Sequence, residues 1–250
     1  MKPWGLKPVL FYIGKFPIES YPVFLSLALL VGLLIYRLQL KKDKIRSPNA
    51  LYIVIFAVVG GSIGSKIPIL LIYWQEINSS ANSMDIFLSG RTVIGGLIGG
   101  MVGTLLAKRI FKIKERLGNQ IAIPVAAGMA IGRMGCLARG CCYGKPTNLP
   151  WGVDFGDHIY RHPTQIYEML FDIFLVVYLS WRKRKELEPG ELFRIFLNLY
   201  LSFRFLVEFI RVEAISFMGL TYFQLLCIVS LIVINRHSIL SLFKRKVEVT

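Results

Sequence analysis

The chain is short of charge: Asp, Glu, Lys and Arg make up 18% of its 250 residues, where a soluble domain carries about 25%. That shortage argues against an ordinary water-soluble globule, and a hydrophobic share of 54% excludes intrinsic disorder. The same composition excludes collagen and coiled coil. Cysteine is scarce too, and four in the whole chain are too few for a disulfide-stapled scaffold. The first apolar run ends in a basic cluster rather than a small-x-small cleavage site, so it is expected to stay as a helix. Long linkers, low-complexity tracts and repeats are also missing.

What is abundant is apolar sequence in runs of membrane-spanning length. Seven fall at about 21–36, 50–74, 92–107, 120–137, 165–181, 191–209 and 220–234. A bilayer core of about 30 Å needs about 20 helical residues. The expectation is an all-α polytopic membrane protein with seven transmembrane helices. It would form a single membrane-embedded domain, residues 1–250, with a small head from about 75–91 and 138–164.

Lys and Arg outnumber Asp and Glu 30 to 15, a formal net charge of +15. On a soluble protein this would suggest nucleic acid. Here alternate connections are basic: Arg37 to Arg46, Lys108 to Arg116, Arg182 to Lys185, and the tail with Arg236 and Lys244 to Lys246. One side collects eighteen cations and the other eight, among them Lys15, Arg91, Arg139, Lys145, Arg161 and Arg211. The positive-inside rule then puts the N-terminus outside and the C-terminus in the cytoplasm. The cations serve topology, and no nucleic-acid partner is expected.

Lys66, Arg133, Arg194 and Arg204 are the cations left inside apolar runs. A charge at the bilayer centre costs at least about 2.5–3.5 kcal/mol on insertion scales, so it snorkels, pairs or marks function. Arg194, close to a basic connection, can snorkel, and Lys66 reads equally as a headgroup contact or a structural pair. Arg133 is flanked by Gly132 and Gly135, which clear space around a guanidinium. Arg204, Glu208 and Arg211 recur at helical spacing, and Tyr200 precedes Arg204 by one turn. Two arginines with a carboxylate and a phenol suit a phosphate held in a partly desolvated site. An internal salt-bridge network is the equal alternative.

His162-Pro163-Thr164-Gln165 leads into the fifth run. A capping role for Thr164 is the plain reading, while His162, Gln165 and Glu168 recur at three-residue intervals and can face the bundle. His162 is an acid or base by residue type. Cys136, Cys141 and Cys142 lie within seven positions and can be structural, form a disulfide, supply a reactive thiolate near Arg139, or bind metal. The zinc signal is weak, because no second Cys/His pair stands at finger-like spacing. Cys227 reads as packing. Gly60, Gly61, Gly64, Gly95, Gly96, Gly99, Gly100 and Gly103 have spacings that let helix backbones approach closely.

Several of these segments, in this order, resemble the prolipoprotein diacylglyceryl transferases of bacterial inner membranes. Ile13 to Tyr21 is similar to the lead-in of that family's first helix, and Gly95-Gly96-Leu97-Ile98-Gly99 to its glycine-rich helix. Gly132-Arg133-Met134-Gly135, with Gly140 and Gly144, keeps the frame of its signature. His162 to Glu168 and Arg204 to Phe209 are close to its later motifs. The resemblance implies a seven-helix enzyme that moves the diacylglyceryl group of phosphatidylglycerol onto the cysteine thiol of a lipoprotein precursor bearing a lipobox. A thioether forms and glycerol phosphate leaves, at a site on the extracytoplasmic side, and neither cofactor nor metal is expected. Arg133 and Arg204 would hold the phosphate with help from Tyr200, and His162 and Glu168 would be the acid–base candidates. Arg139, Gly144, Gln165, Glu208, Arg211, Gly95 and Gly96 would contact substrate.

Three positions depart from the family pattern. Ile94 stands where a histidine is usual, Cys136 where asparagine is usual and Cys141 where glutamate is usual. Isoleucine cannot accept a proton, so a mechanism using that histidine as base cannot operate here. Two other readings follow: a relative with the same lipid donor and a different acceptor, and a non-catalytic protein that binds anionic lipid.

Overall fold

The computed structural model describes residues 6–45, 49–72, 74, 92–212 and 215–247, with side chains to 236 except at 215–217. They form two compact units, residues 1–44 with 116–250, and residues 45–115.

The first unit begins with a hairpin, β1 (Val9–Ile13) and β2 (Phe16–Glu19), which turns at Gly14 with φ +62°. It leads into α1 (Ser20–Lys42), whose last turn carries Lys41 and Lys42 against the negative end of the helix dipole. Asp43 follows and accepts hydrogen bonds from Lys183 Nζ at 2.7 Å and Gln120 Nε2 at 2.9 Å.

The hub is α5 (Gly118–Arg139), which packs against α1, α6 (Thr164–Arg182) and α7 (Glu191–Val207). Its buried face is built from Ala122, Ala126, Ala127 and Ala130, small enough for close helix approach. Between α5 and α6 runs a loop with a two-residue hairpin, β3 (Val153–Asp154) and β4 (Tyr160–Arg161). After α7 come a 3₁₀ turn (Glu208–Ile210), a hairpin of β5 (Ile215–Phe217) and β6 (Leu220–Thr221), and α8 (Tyr222–Val247) against α7. A reciprocal cap starts α8: Thr221 N–H donates to Gln224 Oε1 at 2.9 Å, and Gln224 N–H to Thr221 Oγ1 at 3.2 Å.

α6 is built inside out. Gln165, Glu168 and Asp172 are buried, each 1% exposed, while Leu170, Phe174, Val177 and Trp181 are more than half exposed. An apolar outer face over a polar inner one suits lipid surroundings.

The second unit holds α2 (Ala50–Gly64), the short α3 (Ile67–Ile72) and α4 (Val93–Ile110). The apolar run at 50–74 is thus broken at Ser65–Lys66. α2 and α4 meet through glycines: a Cβ on Gly64 would stand 2.5 Å from Gly95 O and 2.7 Å from Gly99 Cα, and one on Gly103 would collide with Phe56 O. Thr92 caps α4 by accepting the Gly95 N–H at 3.3 Å.

Four stretches among the described residues are long and apolar enough to cross a membrane: Ser20–Lys42, Ala50–Ile72, Val93–Ile110 and Gly118–Arg139. The protein is mostly helical, as the all-α expectation has it, and the described residues add three short two-stranded hairpins to the helices. Segment 75–91 of the expected head, Arg91 included, lies outside the described residues.

Candidate active site

The polar side chains of the first unit converge where α5 ends, α6 begins, α7 ends and α8 starts. Arg133 Nη2 on α5 pairs with Glu168 Oε2 on α6. The other oxygen of Glu168 takes Arg211 Nη1 at 3.3 Å. Arg211 Nε lies 3.8 Å from Glu208 Oε2, which holds Arg204 Nη1 at 2.6 Å. The result is a chain of alternating sign, Arg133–Glu168–Arg211–Glu208–Arg204, in which no member is more than 8% exposed. Thr221 Oγ1 supports its far end by donating to Glu208 Oε1 at 3.3 Å. Burial of five charged groups is tolerable only because each has a partner of opposite sign.

Tyr200, one turn before Arg204, is fully buried, and its hydroxyl has no hydrogen-bond partner. It stands in the electrostatic field of Glu168, Arg133, Arg204 and Asp172. Asp172, one turn beyond Glu168, is 1% exposed, and both of its oxygens are buried without a hydrogen bond. The sequence reading missed it, although the spacing that singles out Arg204 and Glu208 applies equally to Glu168 and Asp172.

The cysteine segment forms a fixed loop beside this chain. α5 terminates at Gly140 in the left-handed conformation, φ +76°. Cys142 is also left-handed, φ +66°, which costs a residue with a Cβ about 1–3 kcal/mol unless its surroundings impose it. They do: the Cys142 carbonyl accepts Thr164 Oγ1 at 2.6 Å and Arg211 Nη1 at 3.2 Å, and Gln165 Nε2 donates to Cys141 O at 2.5 Å. The expected capping role of Thr164 is therefore corrected: it is the first residue of α6, and its hydroxyl ties down the loop instead. Gly144 is required by close approach, since a Cβ there would lie 2.6 Å from Ile210 O and 2.8 Å from His162 Cβ.

The three thiols lie together, their sulfurs within 4.8 Å of one another, and all are free. Hydrogen bonds from Cys136 and Cys141, and then the fields of Arg211 and Arg133, hold the Cys142 thiol well below its ordinary range against the cost of burial. Its bonds with Cys136 and Cys142 push Cys141 up.

The remaining expected residues have other partners. His162 is half-buried, with Nδ1 3.3 Å from Tyr167 Oη, which accepts Trp151 Nε1 at 2.8 Å. Arg139 ends α5 rather than lying on the connection; it is exposed, with its guanidinium 5.7 Å from the Tyr21 ring centroid. Gly95 and Gly96 belong to the second unit and pack against Gly64 and Gly61, and Ile94 is buried there, 2% exposed. Cys227 is fully buried.

Fold and site define a helical membrane protein whose interior holds a desolvated ladder of guanidiniums and carboxylates beside a thiol cluster. The family model described as prolipoprotein diacylglyceryl transferase matches residues 8–237, and the chain belongs to that family. Among its relatives, a protein of Clostridium tetani is 31% identical over 215 residues, covering 82% of this chain and 86% of the relative. One of Campylobacter hominis is 30% identical over 248 residues, covering 90% and 87%. A third, of Clostridioides difficile, is 28% identical over 227 residues, covering 90% and 91%. All three are called phosphatidylglycerol–prolipoprotein diacylglyceryl transferase.

Proposed function

We propose that the protein transfers the diacylglyceryl group of phosphatidylglycerol to the lipobox cysteine thiol of a lipoprotein precursor. The observation that carries this reading is the buried ladder, in which Arg133, Arg204 and Arg211 come from separate segments and outnumber the two glutamates that pair them. A phosphodiester entering the ladder meets these guanidiniums, and as the glyceryl C–O bond breaks they stabilise the phosphate that leaves. The Tyr200 hydroxyl is free to donate to the same anion. Glu168 and Glu208 position the arginines. Gln165 and Gly144 fix the neighbouring loop.

Seven spans, an outside N-terminus and a cytoplasmic C-terminus complete the proposal, supported by the alternation of basic connections. The two units belong to one membrane-embedded domain in the bacterial inner membrane, with the site facing the extracytoplasmic side and no part for nucleic acid. Ile94 has no atom to accept a proton, and His162 and Glu168 are the acid–base candidates in its place.

The test is full-length protein in detergent with phosphatidylglycerol and a lipobox peptide, following peptide mass and glycerol phosphate release together. The expected result is a diacylglyceryl mass on the peptide and one glycerol phosphate for each. Arg133→Gln and Arg204→Gln are expected to slow turnover about 10²–10³-fold, as loss of an oxyanion donor does. Each leaves its glutamate partnered, because Arg211 reaches both Glu168 and Glu208. Undiminished product formation in either variant would defeat the assignment.

A further inference from the structure

The thiol cluster has no part in the ladder, yet its loop is fixed by three side-chain bonds from Thr164, Gln165 and Arg211. We propose that Cys136, Cys141 and Cys142 hold one zinc ion as three thiolates and leave its fourth position to the acceptor thiol of the reaction. This rests on the transferase reading above.

The geometry fits the ion. The three Sγ atoms lie within 4.8 Å of one another, and those of Cys141 and Cys142 are 3.8 Å apart. Zinc–sulfur bonds of about 2.3 Å at tetrahedral angles set sulfurs about 3.8 Å apart, so the ion fits with little rearrangement. The missing second Cys/His pair argues against a closed zinc finger; a site with three protein ligands and an open position needs no such pair. Charge is compatible as well. Zinc with three thiolates carries one negative charge, and with a fourth thiolate two; Arg133 acts electrostatically on Cys136 and Cys142, and Arg211 on Cys142.

The chemistry closes the gap left by Ile94. A thiol that binds zinc gives up its proton to solvent, so no dedicated histidine is needed to form the nucleophile. The sulfur lone pair then attacks the glyceryl carbon that bears the phosphate. A C–S bond forms, the C–O bond breaks, and glycerol phosphate leaves with the bonding pair. Zinc stays Zn(II) throughout. Zinc is favoured over a trigonal soft cation such as Cu(I) because only a four-coordinate ion leaves a place for the acceptor.

The experiment uses the full-length protein purified anaerobically in detergent, loaded with zinc(II) or cobalt(II) and then given the lipobox peptide. The proposal expects one zinc for each chain by mass spectrometry, and X-ray absorption showing three sulfur neighbours that become four with peptide. It also expects intense thiolate–cobalt charge-transfer bands that shift with the same addition. Chelation is expected to stop peptide modification and zinc to restore it. Cys142→Ser and the triple serine variant are expected to lose the metal while still binding phosphatidylglycerol. Should the variants not fold, the sulfur count on the unaltered protein decides alone. Full turnover without metal, a cobalt spectrum indifferent to peptide, two-coordinate or three-coordinate copper as the sole tight ligand, or a disulfide in place of two thiols would each overturn the proposal. Zinc with a fourth sulfur from the peptide, but no diacylglyceryl mass, would keep the metal site and refute the transferase reading.

Discussion

Glu168 is the group on which the ladder depends most. It is 1% exposed and is shared by Arg133 and Arg211, so neutralising it leaves two buried guanidiniums with less than their due. Glu168→Gln is expected to lower stability by about 3–5 kcal/mol, seen as an early melting transition in detergent. A Gln variant melting with the parent would show that water already reaches the site. Arg133, Arg204 and Glu208 are legible in the sequence because charges stand out in apolar runs and recur at helical spacing. The partner of Arg133 was not legible, since it lies 35 residues away on another helix and only packing brings the two together. Arg139 was legible only as a neighbour of the cysteines in sequence, and its contact with the Tyr21 ring at the end of α5 was not.

The helices themselves were largely written in the apolar runs. α5 extends two residues beyond the expected run at each end, and α6 one. Hairpins were not, because β1 and β2 are as apolar as a helix start and only the φ +62° of Gly14 reverses the chain. Ties between helix ends were equally hidden. Asp43 joins the end of α1 to Gln120 on α5 and to Lys183 just after α6, with Lys183 Nζ also 2.7 Å from Gln39 Oε1. Burial works to raise the Asp43 pKa, but the hydrogen bonds from Lys183 and Gln120 outweigh it and hold the carboxyl below its ordinary range. Its contribution is therefore complete above the unfolded value of about 3.9 and is lost as pH falls through the lower folded value. Asp43→Asn should cost about 1 kcal/mol at pH 7, a difference that begins to shrink below about pH 4 in melting curves and closes only under the lower folded value. In the second unit, Gly99→Val should cost at least about 1–3 kcal/mol, because a Cβ at Gly99 already meets the backbone of Gly60 and Gly64. A melting temperature unchanged by that substitution would mean that α2 and α4 are not held face to face.

Taken together, the chain carries much of its polar chemistry on helices outside the four stretches that qualify as membrane spans. α6 carries Glu168 and Asp172 and α7 carries Arg204, and neither is among the four stretches that qualify by length and apolarity. This has a bearing on biogenesis. Each acidic or basic residue near a helix centre adds about 2.5–3.5 kcal/mol to the cost of leaving the translocon alone. The two helices are consecutive, and across their short connection Arg182 Nη2 meets Glu191 Oε1 at 2.7 Å. They are expected to partition into lipid poorly as single segments and well as one helical hairpin, which glycosylation mapping of α6, α7 and the pair would measure. The residues that equip the molecule for chemistry thus dictate the order in which its own synthesis must deliver it to the bilayer.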